Sequence, residues 1–199
     1  MLTKLEAVNE LLDAISESPV STLDSGLPDA SDAERHLDRV SKQVQALGWH
    51  MNTDYDYTLA KDTDDRIPLA TNILRVDTTG RDAWRDVTIR FLDEVRYLYD
   101  LKNQTYEFNR AVKANVVRYY EFEQLPPEMQ MYIAVRASKL FQQHSLGSVV
   151  RDQFMGVSEM EARYAFMDAE ASAEDLNILR ATPHMRFTTF RRSYFGRMY

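Results

Sequence analysis

The chain has 199 residues, 44% hydrophobic and 11% aromatic, which is enough apolar material for one substantial domain or two small ones. Its net charge of −7 argues against bulk attraction to nucleic acid, which needs clustered Lys and Arg on the contacting face. With no cysteine, disulfides, thiolate metal sites and a Cys nucleophile are excluded, and no run approaches the roughly eighteen apolar residues of a membrane span.

The first stretch, MLTKLEAVNELL, lacks the apolar core and small-residue cleavage site of a secretory signal, so a cytoplasm-like setting is expected. Leu5, Val8, Leu12 and Ile15 recur at helical spacing, and Thr3-x-x-Glu6 is a capping box. A second helix carries the stripe Leu37, Val40, Val44 and Leu47, with Ser31-x-x-Glu34 as a second capping box and Gly48 as a left-handed C-cap. Between them SESPVSTLDSGLPDAS is rich in turn formers, and Val20 and Leu23 anchor it as an ordered loop on the bundle.

After Gly48 the pattern shifts to short β-branched and aromatic runs. Strands are predicted over 55–59, 73–76, 87–91, 95–100, 105–108 and 112–122, at spacings suited to an antiparallel meander or small barrel. The last run alternates poorly, as a strand changing face at a bulge does. Leu125-Pro-Pro-Glu-Met then opens a helix whose stripe is Met129, Ile133, Ala137, Leu140 and Phe141, ended by Gly147. A fourth helix runs from near Ser148 to about Leu176, with Val150, Phe154, Val157, Tyr164 and Met167 as its apolar stripe.

These elements predict an α+β fold: a split four-helix bundle from 1–50 and 125–182, an inserted antiparallel β-sheet or small barrel over 51–124, and an extended C-terminal arm over 183–199. The arm holds Arg186, Arg191, Arg192 and Arg197 without Asp or Glu, so the body before it carries −11. Phe187, Phe190, Tyr194, Phe195 and Tyr199 interleave with those arginines. Arg and aromatics are the residue types that anchor interfaces. A final strand in the chain's own core is the competing use of these residues; an arm on another subunit is the expectation adopted.

Catalytic signatures are scarce. There is no Gly-rich phosphate loop, GxSxG or HExxH, and His36, His50, His144 and His184 are scattered singly. Asp54, Asp56, Asp62, Asp64 and Asp65 form the densest acidic patch, but Arg66 stands where a third calcium ligand is needed and the loop glycine is missing. A solvated turn is expected there, with no metal, cofactor or catalytic residue. Paired carboxylates for glycoside hydrolysis carry little weight in a chain with 31 acids.

The order of residues carries more. The AVN-x-LL-x-x-I-x-E-x-PV-x-x-L block, Ala7 to Leu23, and the Q-x-x-GW turn, Gln45 to Trp49, resemble the N-terminal signature of tail tubular protein A, the head-to-tail adaptor family of short-tailed bacteriophages. IPLATNILRVD at Ile67 to Asp77, LYDLKNQTYEF at Leu98 to Phe108 and LPPEMQMYIAVRASKLFQ at Leu125 to Gln142 are similar too, so the resemblance spans about residues 5 to 180. It implies a virion structural protein and no enzyme: a ring, dodecameric in the family, assembled in the host cytoplasm between the portal protein and a nozzle of the tubular protein B kind. Tail fibres are a further implied partner, and genomic DNA passes through the channel without sequence-specific binding. An acidic body fits, because a basic channel wall would retain DNA.

On that basis Arg186, Phe187, Phe190, Arg191, Arg192, Tyr194, Phe195 and Arg197 are expected to grip the portal or a neighbouring subunit, and Tyr55, Tyr57, Tyr97, Tyr99 and Tyr106 to meet the nozzle or fibres. The alternatives are a virion-associated polysaccharide hydrolase, which requires a carboxylate pair in an aromatic-lined groove, and a nucleic-acid-binding regulator acting through the basic tail.

Overall fold

The computed structural model describes residues 1–145, 147 and 149–181, with only the helical backbone described for 149–151 and 174–181. The fold is α+β, with four helices and two small antiparallel sheets among the described residues.

Helix α1, Lys4–Ala14, begins at the expected capping box, with the Thr3 hydroxyl accepting from the Glu6 amide and the Glu6 carboxylate accepting from the Thr3 amide. Helix α2, Pro28–Gln45, starts three residues ahead of Ser31, because Pro28 takes the first helical position and Leu27 caps it without a side-chain hydrogen bond. The second capping box is therefore inside the helix, and Glu34 pairs instead with Lys4 of α1 at 2.8 Å. Leu47 lies beyond the last turn and is exposed. Gly48 does adopt the left-handed conformation, with φ +80°, and a Cβ there would lie 2.6 Å from Arg75 Nη2 and 2.9 Å from Val117 Cγ2. The loop between α1 and α2 is pinned where Asn9 donates to the Val20 carbonyl and accepts from its amide, with Val20 buried.

Helix α3, Pro127–Ser145, buries Met129, Ile133, Ala137 and Phe141 as its spacing predicts, and Leu140 packs at the edge of the same core. Gly147 follows with φ +61°. Helix α4, Val149–Ala181, departs from expectation. Phe166 is 1% exposed and stacks on Tyr132 of α3 and edge-on against Trp49. Phe154, Val157, Tyr164 and Met167, expected to face the bundle, are exposed. The helix has two apolar faces, and the one carrying Ala162 and Phe166 packs inward. Arg136 and Lys139 of α3 bind Glu159 across that contact at 2.6 and 3.0 Å.

The first sheet contains β1, Thr53–Leu59, β2, Ile73–Thr78, and β5, Val112–Arg118, in the order β1-β5-β2, all antiparallel. The last strand thus takes the centre, which a simple meander does not allow. A central strand lacks a free edge and tolerates apolar residues on both faces. Val112, Ala114 and Val116 join the β core, while the next residue, Val117, is buried against Gly48 at the end of α2. That double burial accounts for the poor alternation, and the register shifts lie on the partner strands, between Asp54 and Tyr57 and between Ile73 and Arg75. β5 stops at Arg118, and Phe122–Gln124 forms a short 3-10 turn instead of extending it. Strands β3, Val87–Leu92, and β4, Val95–Asp100, form a hairpin closed by Asp93 and Glu94, both with positive φ. The strand expected over 105–108 is absent; Thr105 and Glu107 make only isolated bridges, to Asp100 and Arg66.

Two apolar cores result. One joins the four helices with Phe122 and Leu125, and the other lies in the β region around Ile67, Leu98 and Phe108. Between them runs a buried polar seam. Gln45, fully buried, donates to the Ser41 hydroxyl and the Tyr120 carbonyl and accepts from the Tyr120 amide, at 2.8 to 2.9 Å. The Asn52 amide donates to the carbonyls of Gln45 and Arg118 at 2.9 and 2.8 Å and its oxygen accepts from the Trp49 amide. These bonds clamp the end of α2 to the start of β1 and the end of β5.

Candidate functional site

The five tyrosines expected at the β surface do not form one patch. Tyr55 and Tyr57 lie exposed on β1, an edge strand of the first sheet, where Arg118 stacks over Tyr57 at 5.0 Å. Tyr97 and Tyr99 lie half-buried on β4, and Tyr106 packs edge-on against Tyr99 at 4.8 Å. Arg90 caps Tyr99 at 3.9 Å. Tyr99 and Tyr106 are thus occupied within the hairpin layer, and Tyr55 and Tyr57 are the open pair.

Two other aromatics in this layer are as exposed: Phe91 at 69% and Trp84 at 57%. Trp84 carries no signal in the sequence, whereas Phe91 is expected with Val87 and Ile89 on the buried face of a strand whose wet face holds Thr88 and Arg90. Phe91 does not face the core: the apolar hairpin residues that pack into it are Leu98 and, partly, Val87 and Ile89. Trp84 follows a short 3-10 turn, Gly80–Asp82, with the Arg85 and Lys102 cations over its ring at 4.8 and 5.8 Å.

Beneath Trp84 lies a buried ion cluster. Arg85 binds Asp100 at 3.1 Å and Asp82 at 3.4 Å, Arg110 binds Asp82 at 2.9 Å, and Asn103 donates to Asp100 through both its backbone and its amide at 2.9 Å. Burial pushes the Asp100 carboxyl up, but the Asn103 bonds and Arg85 together outweigh it and hold it below the ordinary 3.8. The cluster fixes the turns before β3 and after β4. Its carboxylates are saturated, which is structural chemistry.

A cavity of about 560 Å³ opens beside this cluster and is lined by Asp56, Thr58, Arg81, Asp82, Arg110 and Lys113 among others. Asp56 already accepts from the Thr79 hydroxyl and Asp82 from its arginines. No aromatic side chain lines it. The acidic loop expected to be a turn is one: Asp62 accepts from the Asp64 and Arg66 amides, and Asp65 pairs with Lys61. Among the described residues no group of three or more His, Asp or Glu is placed to hold a metal. The histidines at 36 and 144 do meet, with ring centroids 5.5 Å apart, and burial with the nearby Arg39 and His144 lowers the His36 pKa.

On the helical side Leu27, Leu47 and Met131 are exposed singly, whereas Phe154, Val157, Met160, Tyr164 and Met167 are exposed in succession along α4. The geometry is therefore that of two apolar cores joined by a polar seam, with apolar and aromatic side chains exposed around each. The profile of the family described as tail tubular protein matches residues 5–176.

The chain belongs to the tail tubular protein family.

It is similar to tail tubular protein A of Klebsiella phage KP34, at 29% identity over 133 residues, 67% of this chain and 68% of that protein. Membership makes it a structural component of a phage tail. For such a tail tubular protein the hydrolase alternative gains no support: the family is one of tail structural proteins, and the cavity beside the ion cluster has no aromatic lining. The arm residues Arg186, Phe187, Phe190, Arg191, Arg192, Tyr194, Phe195 and Arg197 lie outside the described residues.

Proposed function

We propose that this tail tubular protein is the subunit of a head-to-tail adaptor ring, seated beneath the portal, carrying the nozzle below it and enclosing part of the DNA channel. Ring subunits need non-identical contacts on two flanks and different partners above and below. The observation that supports the reading is that both parts expose large apolar side chains, a run of five along α4 and Tyr55, Tyr57, Trp84 and Phe91 in the β part, while the buried Gln45 and Asn52 seam joins the two.

In this reading residues 1–50 and 125–182 form a helical unit, 51–124 an inserted β unit facing the nozzle or fibres, and 183–199 an arm that grips the portal or a neighbouring subunit. The net charge of −7 suits a wall that DNA must slide past, because phosphate neutralisation by a basic lining would hold it. Sedimentation tests the assignment: the isolated protein remains small, and the cognate portal converts it to a ring-sized complex. Deletion of residues 183–199 leaves a folded protein that no longer joins portals; joining at the full extent refutes the role of the arm. A dense Lys and Arg lining of the assembled channel refutes the acidic wall.

A further inference from the structure

Helix α4 is apolar on two opposite faces. At 100° per residue, Met155, Ala162, Phe166 and Ala169 fall on one side, and this side meets α3 and Trp49. Phe154, Val157, Met160, Tyr164 and Met167 fall on the other, spaced three and four residues apart, with Phe154 at 73% and Tyr164 at 66% exposure. A helix that is apolar all round is one that is covered all round. The outward stripe runs over about four turns, which is more than scattered surface hydrophobics explain.

We propose that the outward face of α4 is the docking surface for the chain's own C-terminal segment, Pro183–Tyr199, in the free protein. Reach permits it. The stripe lies 14 to 27 residues before Ala181, roughly 20 to 40 Å along the helix axis. The 17 residues from Pro183 span at most about 55 Å.

Chemistry selects the same occupant. The segment brings five aromatics to a stripe of Phe, Met and Tyr, where aromatic stacking and sulfur–aromatic contacts are available. It also brings four arginines and no acid to an edge formed by Glu161 and Asp168, both exposed; Arg163 lies towards the opposite edge. A second copy's α4 would set those carboxylates against their own kind. Tethering decides between the segment and a neighbour's: a short linker gives an effective concentration on the order of millimolar, above the protein concentration in a dilute solution. The contact stands apart from any ring, and portal binding is a separate readout.

Limited trypsin digestion of the full chain tests it, since Arg186, Arg191, Arg192 and Arg197 are cleavage sites inside the segment. In the double variant M160E/Y164E these sites are expected to be cut about tenfold faster than in the wild type, because cleavage follows the undocked population. The thermal midpoint stays near that of the wild type, as neither side chain belongs to the core of the bundle. Equal cleavage rates overturn the proposal. A photo-crosslinker in place of Tyr164 supplies the second measurement. Capture of residues 183–199 within the same chain, undiminished by tenfold dilution, supports the docking; capture of a second chain, of another surface, or of nothing overturns it.

Discussion

Replacing Gln45 with leucine removes the side chain that joins α2 to the strand-end residue Tyr120. Gln45 is fully buried, and the substitution deletes three hydrogen bonds of 2.8 to 2.9 Å. Leucine fills a similar volume, so the cavity contribution is small, and the cost comes from the partners left behind. The Tyr120 amide and carbonyl lose their partner, at about 1–3 kcal/mol for each buried orphan. Tyr120 is itself only half-buried, so water recovers part of that, and the expected loss is about 2–4 kcal/mol. Gln43→Leu, two residues earlier on an exposed position, is the control and should stay within about 0.5 kcal/mol. Urea unfolding followed by fluorescence reads both parts, because Trp49 lies at the seam and Trp84 in the β region. If Gln45→Leu matches its control, the seam does not hold the two cores together and the clamped-scaffold account fails.

Gly48→Ala should destabilise by about 1–3 kcal/mol, from the left-handed backbone and the displacement of Val117 and Arg75, as read by denaturant midpoint. Phe166→Ala should cost about 3–5 kcal/mol while Met160→Ala costs under about 0.5, which thermal melts distinguish; equal effects would mean that the wrong face of α4 has been placed inward. Acid titration probes Asp100. Its folded pKa lies below 3.8, so the unfolded chain binds the proton first; the stabilisation is complete above that value and is lost as pH falls through the folded pKa. Asp100→Asn should abolish this part of the acid slope and cost about 3 kcal/mol at neutral pH, measured by unfolding at each pH.

Much of the helical half was legible because its signals are local. Thr3 and Glu6 cap α1 within four residues, Pro127 opens α3, and the 3.6-residue stripes of α1 and α3 face the core they were expected to face. Ser31 and Glu34 misled because a capping box inside an already started helix looks the same in sequence, and Pro28 started α2 first. In α4 periodicity found a stripe but not its direction. A helix with two apolar faces satisfies the pattern on either side, and only the fit of Phe166 between Tyr132 and Trp49 selects one.

Strand positions followed from alternation, whereas the central place of β5 depended on long-range pairing that no local signal encodes. Gln45 and Asn52 look like surface residues in sequence, so the polar seam was invisible before their partners were known. The sequence put Tyr55 and Tyr57 in one group with Tyr97, Tyr99 and Tyr106, and only the strand pairing separates the exposed pair from the half-buried three; the exposure of Phe91 likewise depends on which hairpin face meets the β core.

The adaptor assignment is tested most directly by electron microscopy of the purified full chain mixed with its cognate portal. The account predicts a ring of this protein capping one end of each portal, absent from samples of either protein alone and from mixtures with the chain ending at Thr182. Portals that remain bare in the presence of excess folded full-length protein would contradict it.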